Sequence, residues 1–249
     1  MKKLLLTVVA AVVISRTVPA QAPEPPVQDA RLTVHTLVRE DLFAGFLQND
    51  LTRLARGEKN LALLLTTRPE ERASLLAWQG TAALTRAVLA HEANQRDDFR
   101  RHSEGSLAAF KEAMTLGPNS VPVFAIVGGS YSMVADRLPE AERSAAWQQA
   151  YAAYQRLWEM QGAIIEKLPV HHKGEVLSGL ALTAQRTGHD AEVGPHLDRI
   201  LALMPDTPYA ARARQWKDVP SSRATARLTC QTCHSPGTLT ARLAEVAKQ

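Results

Sequence analysis

Apolar residues recur at helical spacing along most of this chain. Phe99, Ser103, Ser106, Leu107, Phe110, Ala113 and Met114 fall at i, i+4, i+7, i+8, i+11, i+14 and i+15. Val193, Leu197, Ile200, Leu201 and Met204 obey the same rule, as do Trp147, Tyr151, Tyr154, Trp158 and Ile165. Each set predicts one buried stripe on an amphipathic helix. Between these stripes lie segments rich in small residues: Gly80 and Ala83 with Leu76 and Ala87, then Gly128-Gly129, then Gly179 with Ala181 and Ala184. Glycine inside a helix costs about 1 kcal/mol relative to alanine. Its use there predicts close approach of a neighbouring helix. Ala, Leu, Gln, Glu and Arg dominate and β-branched runs are rare, so the body of the chain is expected to be all-α.

The pattern repeats. Four stretches carry apolar residues four and five positions before a proline: Leu64-Leu65 before Pro69, Ala113-Met114 before Pro118, Ile164-Ile165 before Pro169, and Ile200-Leu201 before Pro205. The prolines stand 49, 51 and 36 residues apart. Spacing in this range means stacked supersecondary units. Each proline cannot continue the helix before it and marks the turn to the next.

Between Gly174 and Thr207 the chain resembles the tetratricopeptide repeat. Leu177, Leu180, Ala181, Ala184 and Gly188 sit at the offsets of the first helix of that pattern. Val193, Leu197, Ile200 and Pro205 sit at those of the second. Ala44-Gly45 through Leu61, Leu64 and Pro69 is a second, weaker match. The two middle units are about fifteen residues too long and depart from the 34-residue pattern by longer helices or loops. The resemblance covers roughly residues 33–217. It implies antiparallel helix-pair repeats forming an α-solenoid, and a surface that binds protein or peptide.

The ends of the chain differ from the body. Lys2 and Lys3 precede a short apolar run from Leu4 to Ser15, and Val18-Pro19-Ala20 places small residues at a cleavage site. This is the pattern of a secretory signal, with cleavage expected after Ala20 and a periplasmic or otherwise extracytoplasmic destination. The run is shorter than the roughly 18 residues of a membrane span, so no membrane anchor is expected after removal. Residues 21–32 form a Pro-rich polar leader, expected to be disordered. Residues 33–217 form the repeat domain, and residues 218–249 a linker and C-terminal segment.

Charge changes the picture little. The chain has 29 Lys+Arg against 25 Asp+Glu, but Lys2, Lys3 and Arg16 leave with the signal and reduce the excess from +4 to +1. No basic stripe interleaved with aromatics points to nucleic acid. From Asp206 onward seven Lys/Arg face Asp206, Asp218 and Glu245. Such residues keep a tail soluble, or steer an acidic redox partner.

The chemistry is concentrated near the C-terminus. Cys230, Cys233 and His234 stand in the order C-Q-T-C-H, and the chain has no other cysteine. C-x-x-C-H is the attachment signature of c-type haem. Two thiols three positions apart can each bond one vinyl group of the macrocycle, and the histidine can be the proximal iron ligand. One covalent haem c is therefore expected, and export to an extracytoplasmic compartment suits it. Two other readings stay open. An exported C-x-x-C pair can oxidise to a disulfide. Three ligands fall one short of a structural zinc site. A thioredoxin-like enzyme needs strands, which the pattern lacks. No G-x-S-x-G elbow, P-loop or H-E-x-x-H is present. The acid pairs Glu70-Glu71 and Asp97-Asp98 sit at expected helix starts, where they complement the helix dipole.

Only 29 residues follow Pro220, too few to bury a macrocycle alone. The haem is expected to dock on the repeats, pair with another chain or stay exposed. Candidates for the sixth iron ligand are His171, His172, His189, His196, Met204 and Met160, with His171 and His172 preferred. Met204 lies on a buried stripe and reads as core. His196 flanks the same stripe and reads as a surface or partly satisfied histidine, while His91 and His102 decorate helices remote in sequence from the tail. Taken whole, the chain resembles exported bacterial proteins that join helical repeats to a C-terminal C-x-x-C-H. That resemblance assigns no activity; the haem signature and the repeats together lead to the expectation of an electron carrier that docks a redox complex or other protein partner. The alternative is a peptide-binding scaffold whose cysteines form a structural disulfide or whose haem is sensory.

Overall fold

A computed structural model describes residues 33–220, with backbone alone for residues 35–37. Among these residues the chain forms nine α-helices and three short 3₁₀ segments, with no strand. The helices are α1 (Val34–Gln48), α2 (Leu51–Thr67), α3 (Arg72–Glu92), α4 (Arg96–Leu116), α5 (Val121–Val134), α6 (Glu140–Gln161), α7 (Val170–Arg186), α8 (Asp190–Leu203) and α9 (Pro208–Asp218). They pack in series as hairpins, α1 with α2, α3 with α4, α5 with α6 and α7 with α8, and α9 closes on α8. The odd-numbered helices also pack in order, α1 on α3, α3 on α5 and α5 on α7. This arrangement is compatible with an α-solenoid.

The expected punctuation is found. Helices α2, α4 and α8 end before Pro69, Pro118 and Pro205. Helix α6 ends earlier than its stripe predicted, and residues Gly162–Lys167 tighten into a 3₁₀ segment before Pro169. Ile165 is therefore buried from that segment and not from α6. The extra length of the second hairpin is α-helix, 21 residues in each of α3 and α4, while that of the third is the 22-residue α6 and the 3₁₀ segments Ala135–Arg137 and Gly162–Lys167. Three hairpin turns contain a residue in the left-handed region, Asn49, Asn94 and Gly188. Asn and Gly tolerate that region best. At two of them the next amide reaches back five residues, Gln95 to the Ala90 carbonyl and His189 to Ala184, each at 2.8 Å. These bonds satisfy carbonyls that the helix end would orphan.

Inner and outer helices differ in kind. Helix α5 (V-P-V-F-A-I-V-G-G-S-Y-S-M-V) is apolar nearly all round and is largely buried, as expected for a helix with neighbours on several sides. Helix α4 buries only Ser106, Phe110 and Ala113. Leu107, assigned to the α4 stripe by spacing, is 56 % exposed; α4 packs chiefly on α3, so its buried face is narrow.

Aromatic rings from outer helices fill the glycine hollows of inner ones. A Cβ at Gly80 would stand 2.5 Å from Phe110 Cδ1, and one at Gly179 would stand 2.1 Å from Tyr154 Cε1. The same Tyr154 ring lies 3.1 Å from the Cβ position of Gly128. Ser106 Oγ donates to the Gly80 carbonyl at 2.9 Å, beside the Phe110 ring. One buried polar tie joins two inner helices, and another closes the first hairpin. The hydroxyls of Thr81 on α3 and Ser130 on α5 are 2.7 Å apart and buried. In the first hairpin, buried Asp41 accepts from Arg53 Nε at 3.0 Å and Arg56 Nε at 2.6 Å.

Candidate functional site

Cys230, Cys233 and His234 lie outside the described residues, as do all of residues 221–249 and residues 1–32, on which the expected signal and leader fall. The histidines proposed to complete their chemistry are described. His171 and His172 stand in the first turn of α7, directly after Pro169, which caps that helix. Both side chains are exposed, and their rings lie 5.9 Å apart at 56°.

The two histidines have different surroundings. His171 Nδ1 is 3.4 Å from the Tyr209 hydroxyl. Tyr209 is the second residue of α9, and its ring covers Gly174, where an added Cβ would stand 2.3 Å from Cε2. Glycine at 174 thus leaves room for the Tyr209 ring against α7. His171 Nε2 is 3.8 Å from Glu175 Oε2, one helical turn on. Burial pushes the Glu175 carboxyl up to about 7 against the opposing charge of Arg39. Burial, with the charges of His172 and Arg39, pushes the His171 imidazole below its usual value. Near neutrality both groups are biased toward their uncharged forms. Glu175 keeps 30 % of its side chain exposed, so it is a rim residue enclosed on most sides.

The other ligand candidates are committed elsewhere. Met204 is 2 % exposed in the core, as its stripe position implied. Met160 packs partly buried against the core from α6. The His189 ring stacks on Tyr151 with centroids 4.4 Å apart, and its Nδ1 is 2.8 Å from Thr187 Oγ1. Tyr151 in turn donates to Glu192 at 2.9 Å, and Gln155 donates to the same carboxylate at 3.1 Å. This cluster ties α6 to the start of α8. His196 differs from its expected surface placement. It is only 7 % exposed, edge-on to Trp158 with ring centroids 6.0 Å apart. Its Nδ1 is buried with no hydrogen-bond partner, and burial pushes its pKa down. The cause is α6: Trp158 covers the flank of the α8 stripe that sequence alone leaves open. His91 meets Phe99 with centroids 5.8 Å apart, and His102 lies on α4 beside Arg101.

Their place at the turn just past Pro169 singled out His171 and His172; nothing in the sequence singled out Tyr209 or Glu175. Tyr209 is 38 positions from His171 and belongs to no stripe identified above. The one available signal was Gly174, a glycine in a helical first turn, which marks a ring or backbone pressed against it.

His171 thus faces the Tyr209 hydroxyl with Nδ1 and the Glu175 carboxyl with Nε2. No group of three or more His, Cys, Asp or Glu able to hold a bare metal ion occurs among the described residues. No helix among them is long and apolar enough to cross a membrane. No protein-family model matches this chain, and no curated protein or solved structure is significantly similar to it.

Proposed function

We propose that this chain is an exported, extracytoplasmic c-type protein with one covalent haem on its C-terminal segment, acting in electron transfer. The observation that carries this reading is C-Q-T-C-H at 230–234, formed by the only two cysteines in the chain. Cys230 and Cys233 would hold the macrocycle through thioethers to its vinyl groups, and His234 would lie under the iron. The bound haem would supply one-electron chemistry.

The helical array is read here as a tetratricopeptide-like solenoid, and its task as docking a protein partner. Four hairpins in series offer a long, rigid surface, and rigid surfaces dock partners at low entropic cost. The apolar inner helices also offer a body large enough to share in covering a macrocycle that the short tail cannot bury.

The test is a pyridine haemochrome spectrum of the protein co-expressed with haem c maturation machinery and denatured before reading. One covalent haem c per chain is expected, lost in Cys230→Ser/Cys233→Ser. A haem-free protein with Cys230 and Cys233 joined in a disulfide would overturn the reading and leave a stapled scaffold.

A further inference from the structure

We propose that the side-chain seam between α6 and α8 is an acid-sensitive latch, released when buried His196 takes up a proton.

Two helix faces build the seam. Tyr151, Gln155 and Trp158 stand at i, i+4 and i+7 on α6, and Glu192, His196 and Arg199 at i, i+4 and i+7 on α8. Residues so spaced share one face of a helix. Tyr151 and Gln155 both donate to the Glu192 carboxylate. Further along, Trp158 meets the His196 ring edge-on and carries the Arg199 guanidinium over its own ring, 4.9 Å from the centroid.

His196 is the one position of this seam that cannot accept a proton in place. It is 7 % exposed, and its Nδ1 is enclosed without a hydrogen-bond partner. Both nitrogens of an imidazolium are donors. The protonated ring would therefore hold a charged N–H at Nδ1 with nothing to receive it, which a buried site tolerates badly. Among the described residues the charges that act on the ring are both on α8: Arg199 opposes the proton and Glu192 favours it. Helix α6 faces it with the Trp158 indole, and its Arg156 is paired with Glu159. Arg186 of α7 is paired with Asp136, and Lys217 of α9 with Asp198. Burial first, and then Arg199, hold the His196 imidazole below its usual value of 6.5. An opened seam frees the ring from that environment and binds the proton more tightly. The closed seam is thus most stable above the ordinary titration range and loses stability as pH falls through it.

Helix α8 is made to yield at this point. Pro195, inside α8, has no amide to offer the Ala191 carbonyl. A Cβ on Gly194 would meet nothing within 4 Å. Both stand immediately before His196. Helix α7 is fixed separately, because the Tyr154 ring of α6 fills the hollow at Gly179. Release therefore lifts the Glu192–Arg199 face of α8 from α6 and leaves α6 and α7 together.

The experiment measures hydrogen exchange of the full-length protein near pH 7.5 and near pH 5, corrected for intrinsic exchange, beside a carbon-13 NMR titration of its histidines. Protection of α8 should fall severalfold in acid relative to α5. The ceiling is about 30-fold, set by a histidine that titrates at 6.5 once released. His196→Gln and His196→Leu should abolish the fall, His189→Gln should keep it, and His196 itself should titrate below 6.5. Equal α8 protection at both pH values, a fall that survives in the His196 variants or vanishes in His189→Gln, or a His196 titration at or above 6.5 would each overturn the proposal. The wild-type exchange and titration decide the matter even where a variant fails to fold.

Discussion

A methyl group at Gly179 would fall 2.1 Å from Tyr154 Cε1, whereas one at Gly105 would meet nothing within 4 Å. The two glycines lie in helix interiors and look alike in the sequence. Gly179→Ala should destabilise the protein by about 1–3 kcal/mol, because overpacking outweighs the gain in helix propensity. Gly105→Ala on exposed α4 should stabilise it by about 1 kcal/mol. Urea unfolding of the two variants beside wild type tests the pair, and a stabilised Gly179→Ala would refute the close approach. Glycine spacing foretold crowding at Gly80, Gly128, Gly129 and Gly179, and it is found at all but Gly129, whose Cβ would meet only the Tyr154 hydroxyl at 4.0 Å. It could not tell them from Gly105 or Gly194, since crowding depends on a ring supplied by another helix. His196 shows the same limit. Its own stripe leaves it at the flank, and Trp158 of α6 buries it.

At the scale of elements, the inner helices are joined by the Thr81–Ser130 hydroxyl contact, 2.7 Å long and buried. Thr81→Val would strand the Ser130 hydroxyl away from water and should cost about 1–3 kcal/mol. Adding Ser130→Ala should recover most of that loss, so a double-mutant cycle should return a coupling clearly different from zero; strict additivity would show that the contact contributes nothing. The helices themselves were largely legible. Prolines ended α2, α4 and α8, and acid pairs marked the region where α3 begins and the first turn of α4. Two failures have one origin. Leu107 was assigned to a buried stripe and Ile165 to the body of α6, because periodicity reports which face is apolar but not how wide the partner is or where the helix tightens. The third hairpin was visible only as a spacing, since its turn uses the 3₁₀ segment Ala135–Arg137 and Leu138-Pro139 in place of a left-handed residue.

For the molecule as a whole, Glu175 gives a pH signature. Its carboxyl sits at about 7 in the fold against an ordinary 4.5, so the folded state binds this proton more tightly than the unfolded chain does. The group thus stabilises the fold fully below about pH 4.5, and that contribution is lost as pH rises toward 7. The span is at most about 3 kcal/mol, and less because 30 % of the side chain meets water. His171, held below its usual value, has the opposite slope: its contribution is lost as pH falls below its ordinary titration range. The wild-type profile carries both contributions. Glu175→Gln should remove only the loss between pH 4.5 and 7, and an unchanged profile in that variant would show the carboxyl to be ordinary. None of this was visible in the sequence, where Glu175 is one acid among 25 Asp+Glu; its titration comes from burial, set against the charge of Arg39 on α1. The all-helical fold class was legible because it depends on local spacing. The setting of Tyr209 and Glu175 was not, because it depends on residues far apart in the chain, the Tyr209 ring over Gly174 and the Arg39 charge near Glu175. Tyr154 has a mechanical meaning. One fully enclosed ring bears on Gly128 of α5 and Gly179 of α7 at once. Bending the third hairpin against the fourth would compress an incompressible disc against two backbones. That joint is a strut and not a hinge, so whatever is seated at the start of α7 is held at a fixed distance from the surface of α5.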